Sequence, residues 1–444
     1  MNPKQKLHLF DFTMIVVGLV IGMGIFRTAA TSAKYALNPN IYFIAWIAGG
    51  LIALCGALTY AEIGSRYPIT GGYYRIFSYA YHPSIAFSIN CIILISNAAS
   101  LSGVALIGAG YISKVIFHQP ATDVTKALIA TSAIIIFYGV NLLGLKMSAK
   151  TQSVLMIIKI SMILMLIAAL FFPAIRTSAV LTDKQINGST YLNWIQSFGL
   201  SLIAVSFTYG GYQQTINFGS EVNKPAKNIP RGIFFGIAII ITLYLLVNLS
   251  YYKVIGFSRL QNETEIASIV IGKMFGSTGA NVFSALLFLS VLAYVNVLLL
   301  SNPRVMFAMS EDGVLPKFFQ KRSVKKEVFT ISLTAFAAMC IIILFFANTF
   351  DKILNFTIFL DSFGMAASAA SIFWLRPKTK ELNNTGIYSM KLYPLQPIIF
   401  ICAYIFVAIS IAIQTPDTAL TGILVLAAFM ILYFITRKKQ KRTF

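Results

Sequence analysis

Twelve apolar runs recur along the chain, and each is long enough to cross a membrane. A helix needs about 20 residues to cross a hydrocarbon layer of ~30 Å. Only 11% of the 444 residues are charged and 57% are hydrophobic, too few charges for the surface of a soluble globular protein. The sequence predicts an all-α integral membrane protein with twelve transmembrane helices at 10–32, 41–65, 84–117, 127–145, 151–172, 192–219, 231–254, 278–301, 328–347, 352–375, 395–414 and 418–436.

The basic residues set the expected orientation. An even number of spans places both termini on one side. With the termini inside, 24 Lys and Arg residues lie in inside segments and nine in outside segments, which agrees with the positive-inside rule. The sequence therefore predicts a multi-pass protein of the cell (inner or plasma) membrane with cytoplasmic termini. The net charge of +21 is spread over short loops, which argues against a nucleic-acid partner.

Histidine and cysteine give no sign of a metal, cofactor or catalytic centre. The cysteines lie far apart inside apolar runs, without metal-ligand spacing, and the histidines lie near predicted membrane ends. A membrane enzyme would need a cluster of reactive groups at membrane depth, where the sequence places only Asp361 and Lys159, in isolation. The cysteines and histidines that are not expected to bind a metal or cofactor or to act in catalysis are Cys55, Cys91, Cys340, Cys402, His8, His82 and His118.

Two of the predicted spans are interrupted by glycine. The first is broken at Gly22-Met23-Gly24 and the sixth at Gly210-Gly211. Paired breaks at corresponding places in two halves indicate a transporter site near the membrane midplane. The glycines could instead serve only close helix packing, as Gly18 and Gly22 have small-xxx-small spacing. We expect two inverted repeats and a peripheral part, at 1–175, 176–380 and 381–444.

Five segments carry a resemblance to a known family. The chain resembles the amino acid–polyamine–organocation (APC) superfamily, and within it the L-type amino acid transporters and their bacterial relatives. The resemblance implies a five-plus-five inverted-repeat fold with interrupted helices one and six, and alternating access for a free amino acid. The segments are GMGIF (22–26), LTYAEIGSRYPITGGYYRIFSYAY (58–81), FTYGGY (207–212), GSEVNKPAKNIPRGI (219–233) and SNPRVMFAMSEDGVLP (301–316).

The resemblance also implies a substrate site at the two breaks. Bare amides over Gly22–Ile25 would bind the substrate carboxylate, and carbonyls of the sixth span would bind its ammonium. This agrees with the charge preference of helix ends and unwound backbone. Phe207 corresponds to the aromatic residue that closes over substrate, although it could simply be a packing residue. The implied substrate-binding residues are Gly22, Met23, Gly24, Ile25, Phe207, Tyr209, Gly210, Gly211 and Tyr294.

The sequence departs from the family pattern at three positions. Met23 stands where relatives usually have Ser or Thr, which removes a hydroxyl and adds bulk. Tyr294 stands where small residues are common, and we expect it to fill part of the pocket. Asp361 in the tenth span has no counterpart in the pattern, and it could accept a proton, pair with a cation or bond a neighbouring helix.

Lysine inside the fifth span is the most informative charge. Lys159 costs roughly 2.5–3.5 kcal/mol at membrane depth on insertion scales. Sodium-independent relatives carry a lysine at this place, where it replaces a sodium ion. The resemblance implies that Lys159 supplies charge to the carbonyls around Gly18–Gly22 and to Ser290. The alternatives are a lysine that reaches the headgroups and a lysine that loses its proton in each cycle and couples uptake to the pH gradient.

Glu62 and Arg66 are four residues apart at the end of the second span. They could form part of an inner gate, or be an ordinary exposed pair worth a few tenths of a kcal/mol.

The sequence as a whole favours a sodium-independent secondary transporter of amino acids. No acid is expected near the side-chain pocket, which favours neutral substrates, and exchange is favoured over the alternative of proton symport. A more distant alternative is a transporter-like nutrient sensor, although the tails are short. The expected partners are the amino acid substrate and the lipid bilayer, with no obligatory protein partner evident.

Overall fold

The computed structural model describes residues 6–22, 24–117, 121–172, 191–263, 266–323, 325–346, 350–384 and 386–441. Almost all of these residues are helical, and β-structure within the described ranges is limited to isolated bridges such as Leu7 with Val222. The expected all-α class is confirmed.

Sixteen α-helices are present in the described part of the chain. Short 3₁₀ turns connect several of them, and the most important one, Tyr212–Asn217, follows the second break. The helices are α1 (Leu9–Val20), α2 (Gly24–Tyr35), α3 (Pro39–Arg66), α4 (Gly72–Ala80), α5 (Pro83–Phe117), α6 (Asp123–Leu142), α7 (Leu145–Ala168), α8 (Tyr191–Tyr209), α9 (Pro225–Ile255), α10 (Phe257–Asn262), α11 (Ile266–Glu311), α12 (Thr330–Phe346), α13 (Phe350–Ala370), α14 (Ile372–Leu375), α15 (Leu395–Gln414) and α16 (Pro416–Lys441).

Eight helical segments in the described ranges are long and apolar enough to cross a membrane. Shorter apolar helices lie within α12, α13–α14 and α16. Each of the twelve runs predicted from the sequence overlaps a helix. The eight segments are Leu9–Tyr35, Pro39–Arg66, Pro83–Phe117, Asp123–Leu142, Leu145–Phe171, Pro225–Ile255, Ile266–Glu311 and Leu395–Gln414.

The surface of these helices carries large apolar side chains, as a lipid-facing surface requires. Examples lie on α6, α12 and α16, where Ile136, Phe345 and Ile431 are each more than half exposed. Exposed apolar patches of this extent are rare on soluble monomers. The opposite faces of the helices form one continuous buried core.

Side-chain caps precede two of the helices, α3 and α6. Asn38 precedes α3, and its side-chain oxygen accepts a hydrogen bond from the amide of Ile41 at 3.0 Å. Thr122 does the same for Thr125 at the start of α6, at 3.2 Å. Such caps satisfy one of the amides that a helix start leaves unpaired.

The two interrupted helices lie against each other at their breaks. Helix α1 ends at Val20 and α2 begins at Gly24, while α8 ends at Tyr209 before Gly210 and Gly211. Helix α1 packs on α7, α9 and α11, and α2 packs on α8. A Cβ atom on Gly24 would lie 2.8 Å from the methyl carbon of Thr208. The glycines therefore do permit close packing, and the same packing brings the two breaks together.

Gly211 is the tightest point between the breaks. Its φ is +111°, and a Cβ atom there would lie 2.1 Å from the carbonyl oxygen of Leu19. A backbone atom cannot rotate away as a side chain can. No other residue type fits at this position without separating α1 from the segment that follows α8.

We expect Gly211→Ala to lower the melting temperature of the purified protein in detergent substantially. The control is Gly256→Ala, because Gly256 also has a positive φ of +79° but no atom within 4 Å of its Cβ position. The sparsely populated φ/ψ region costs an alanine about 1–3 kcal/mol at either position, and only Gly211 adds a backbone clash. Thermal unfolding monitored by size-exclusion chromatography measures both variants. Equal shifts would show that the two breaks are not packed as described.

Candidate functional site

A cavity of about 70 Å³ lies between the two breaks. Since a single water needs roughly 10–15 Å³ by this measure, the cavity suits a molecule of a few heavy atoms. It is lined by residues of α1, α2, α5, α8, α11, α13 and α15. These are Leu19, Val20, Gly22, Gly24, Asn97, Ser100, Val104, Ser206, Phe207, Thr208, Gly210, Gly211, Gln213, Gln214, Tyr294, Leu298, Asp361, Met365 and Tyr404.

Most of the residues expected at the substrate site meet in this cavity. Those that line it are Gly22, Gly24, Phe207, Gly210, Gly211 and Tyr294. Ile25 is fully buried and does not line it. Met23 lies outside the described residues. The substrate contacts of these residues stay predictions.

The start of α2 supplies the positive pole of the cavity. The amide of Gly22 donates to the Val20 carbonyl at 2.8 Å, so the expectation of a bare amide at that residue is wrong. Helix α2 begins at Gly24, and the amides of its first turn have no acceptor within the helix. Helix N-termini carry partial positive charge and bind anions.

The end of α8 supplies carbonyl groups. The Phe207 carbonyl accepts a hydrogen bond from the Gly210 amide at 3.2 Å, which leaves its second lone pair available. Tyr209 does not line the cavity; its ring packs against Trp46 and Tyr244, with centroids 5.9 and 5.1 Å away. Helix C-terminal carbonyls carry partial negative charge, which suits an ammonium.

Sequence reasoning missed a polar wall of the cavity. The Gln214 side-chain amide donates to Asn97 at 3.0 Å, and Asn97 in turn donates to Asn302 at 2.7 Å. The Gln213 side-chain oxygen accepts from the Gly211 amide at 2.9 Å. Asparagine inside a long apolar run was the available signal, because polar groups at membrane depth are expensive and tend to be functional.

Tyr294 forms a second wall, as its size suggests. A Cβ atom on Gly22 would lie 3.5 Å from its ring. Its hydroxyl is hydrogen-bonded to the Ser100 hydroxyl at 2.9 Å. The ring thus extends from the first break to the polar side of α5.

Lys159 binds the first break directly. The side chain has 0% exposure, and its Nζ donates to the carbonyl oxygen of Ile21 at 2.5 Å. The alternative of a lysine that reaches the headgroups does not agree with this burial. Ser290 is also buried, and its hydroxyl has no hydrogen-bond partner among the described atoms. An interaction between Ser290 and Lys159 stays a prediction.

Glu62 and Arg66 lie within a buried ion-pair network. Arg66 donates to Glu62 at 2.8 Å, and both side chains have 0% exposure. Glu62 also accepts the Met390 amide at 2.8 Å and lies 3.2 Å from Arg376. The alternative of an ordinary exposed pair is wrong, because the segment after α14 covers both side chains. A gating role for the pair stays a prediction.

The amino-acid sequence matches a known family over nearly its whole length. The family described as "Amino acid permease" matches residues 7–441. The chain belongs to the amino acid permease family. This confirms the resemblance to the APC superfamily on which the expected site was based.

Three relatives of this permease are transporters or exchangers of amino acids by name. The serine/threonine exchanger SteT of Bacillus subtilis is 26% identical over 444 residues, 98% of each chain. The branched-chain amino acid permease BcaP of Bacillus subtilis is 28% identical over 337 residues, 72% of this chain and 70% of the relative. The cystine/glutamate transporter of Homo sapiens is 24% identical over 451 residues, 99% of this chain and 87% of the relative.

Two family segments of the permease meet in a buried ion pair. Glu221 belongs to the segment 219–233 and Arg304 to the segment 301–316. The Arg304 guanidinium donates to both carboxylate oxygens of Glu221, at 2.7 Å for the shortest contact, and lies over the Phe218 ring at 4.4 Å. This pair fixes the chain after the second break to the end of α11.

Asp361 lines the cavity of the permease. The expectation that no acid lies near the side-chain pocket is therefore wrong. The sequence places Asp361 in the tenth span but does not show which way that helix turns its faces. Packing of α13 on α5 and α15 decides this. The expectation of a neutral substrate, which depended on the absence of an acid, is therefore no longer supported.

We expect Glu62→Gln to destabilise the permease by roughly 3–5 kcal/mol, because it leaves the buried Arg66 guanidinium without its negative partner. The matched control is Glu263→Gln, which removes the acid of another i,i+4 pair. That pair joins Arg259 and Glu263 at 3.2 Å, with side chains 49% and 39% exposed. Its loss should cost no more than about 1 kcal/mol. Melting curves in detergent compare the variants, and a Glu62→Gln shift no larger than the control would contradict the buried network.

Proposed function

We propose that this permease is a sodium-independent secondary transporter that exchanges free amino acids across the cell membrane by alternating access. The observation that carries the proposal is the bond between the Lys159 ammonium and the Ile21 carbonyl. It gives the first break a positive charge that belongs to the protein itself.

A free amino acid fits the two poles of the cavity. Its carboxylate would accept hydrogen bonds from the first turn of α2, beginning with the amide of Gly24, which lines the cavity. Its ammonium would donate to the carbonyls near the end of α8, at Phe207 and Gly210. Opposite helix ends that converge on one cavity select a ligand that carries a carboxylate and an ammonium on the same carbon atom.

A fixed ammonium removes the need for a bound cation at the first break. A sodium ion binds oxygen atoms and neutralises their partial charge; Lys159 does the same for the carbonyl that it contacts. Among the described residues, no acid forms an ion pair with Lys159. A permanently charged lysine would serve as a strut and would not carry a proton through the cycle.

Exchange follows from the absence of a coupling ion in this scheme. Without a driving ion, the return of the binding site would be coupled to a second amino acid. The name of the relative SteT, an exchanger, supports the same mode. Proton symport is the competing mode, and it would need a titrating group at the site.

The architecture that we propose has twelve spans in two inverted repeats of five. The repeats would comprise 1–175 and 176–380, and 381–444 would add two peripheral helices and a basic cytoplasmic tail. Support comes from the helices that overlap the twelve apolar runs and from the position of the breaks in the first and sixth of them. Both termini would be cytoplasmic, as the basic residues indicate.

We expect Lys159→Ala to reduce amino acid exchange in proteoliposomes by at least tenfold, because the Ile21 carbonyl loses the ammonium that binds it. Lys159→Arg keeps the charge and should retain part of the exchange rate. The matched control is Lys253→Ala, since Lys253 also donates to a backbone carbonyl, that of Leu170 at 3.0 Å, but at an exposed position.

Initial rates of labelled amino acid uptake into preloaded vesicles provide the measurement. Elution of each variant as a single peak in detergent shows that it is folded. Wild-type exchange rates in folded Lys159→Ala would contradict the proposed role of the Lys159 charge. Failure of the wild type to take up any amino acid from a broad panel would overturn the proposed function itself.

A further inference from the structure

Asp361 is the only charged residue among those that line the cavity in the described part of the chain. It lies on α13, and the other lining residues offer hydroxyls, amides, glycine backbone and apolar groups. The carboxylate therefore dominates the electrostatic character of the wall that it belongs to.

No hydrogen bond or ion pair to the Asp361 carboxylate is present among the described residues. The groups in electrostatic range of it are the hydroxyls of Tyr73 on α4, Tyr294 on α11 and Tyr404 on α15. Two of these hydroxyls are already bonded elsewhere, Tyr73 to Ser368 at 3.3 Å and Tyr294 to Ser100 at 2.9 Å. None of the three carries a positive charge.

An ionised carboxylate in such a place needs a countercharge. Burying a charge away from water is costly unless it is paired. Among the described residues, no lysine or arginine lines the cavity, and the Lys159 ammonium is bound to Ile21. A positive charge that pairs with an ionised Asp361 would therefore come from the contents of the cavity.

The two backbone poles and Asp361 come from different elements. The start of α2 and the end of α8 belong to the broken helices, and Asp361 lies on α13. The Tyr294 ring lies beside Gly22, and its hydroxyl is hydrogen-bonded to Ser100. In the proposed function the carbonyls at the end of α8 bind the α-ammonium, so Asp361 remains for a second positive charge, at the end of the substrate side chain.

We infer that the cavity binds amino acids whose short side chain ends in an ammonium group, and that Asp361 is the residue that selects them. The inference rests on the proposed transport of amino acids at this cavity and names the side-chain class. The cavity volume of about 70 Å³ favours 2,4-diaminobutyrate over longer cationic side chains. A charge-assisted bond between ammonium and carboxylate is stronger than a neutral one.

Two other roles for Asp361 give different results in the same experiment. If Asp361 binds the α-ammonium, its loss affects every amino acid equally. If it carries a proton, its loss abolishes uptake driven by a pH gradient, and the charge of the substrate side chain does not matter.

The experiment compares wild type, Asp361→Asn and Asp123→Asn in proteoliposomes. Asp123→Asn is the matched control, because it removes one carboxylate of the same shape at the start of α6, where the side chain is fully exposed (101%). Labelled 2,4-diaminobutyrate and labelled homoserine are the probes, which have similar length but end in an ammonium and a hydroxyl. Initial rates are measured at equal internal and external pH, and again with an inward proton gradient.

The wild type and Asp123→Asn should take up 2,4-diaminobutyrate at least tenfold faster than homoserine. Asp361→Asn should lose this preference and keep the homoserine rate within about threefold. Three results would overturn the inference: a wild type that prefers homoserine, an Asp361→Asn variant that loses both substrates equally, or one that loses only the response to the proton gradient. Since the wild-type preference is decisive by itself, poor folding of Asp361→Asn leaves the test intact. Absence of uptake for every amino acid would instead reject the proposed function.

Discussion

Backbone groups freed by two broken helices must be satisfied at membrane depth, and much of the site follows from this requirement. Lipid offers no hydrogen-bonding partner, so non-helical backbone is tolerated only where protein or a cavity supplies one. The Lys159 ammonium satisfies the Ile21 carbonyl. The Tyr244 hydroxyl lies within hydrogen-bond distance of two more carbonyls, Val20 at 3.4 Å and Thr208 at 3.3 Å, one from each broken helix. Gly24, Phe207 and Gly210, which belong to the two breaks, line the cavity.

The same contacts hold the two breaks in a fixed relation. Gly211 allows the chain after α8 to touch the Leu19 carbonyl, and the hydroxyls of Thr28 and Thr208 are hydrogen-bonded where α2 crosses α8. The hydroxyls of Ser32 on α2 and Ser201 on α8 form a second hydrogen bond between these helices, at 2.7 Å. The poles that would bind the two ends of an amino acid therefore keep their spacing because small and hydroxyl residues pack the helices closely.

The sequence contained most of the fold and part of the site. Apolar runs locate helices because membrane thickness fixes their length, and glycine pairs locate the breaks because helix propensity is local. Lys159 was recognisable because a lysine at membrane depth is expensive. Contacts between distant segments could not be predicted in this way. The burial of Glu62 depends on a segment more than 300 residues later, which includes Met390, and the direction of Asp361 depends on how α13 packs.

The proposed role of Lys159 is to take the place of a sodium ion at the first break. The most direct measurement is the initial rate of amino acid exchange in preloaded proteoliposomes, with all sodium replaced by choline at constant pH and ionic strength. We expect the same rate in both buffers, because Lys159 already donates a hydrogen bond to the Ile21 carbonyl. A severalfold loss of rate in choline, restored by added sodium, would contradict it.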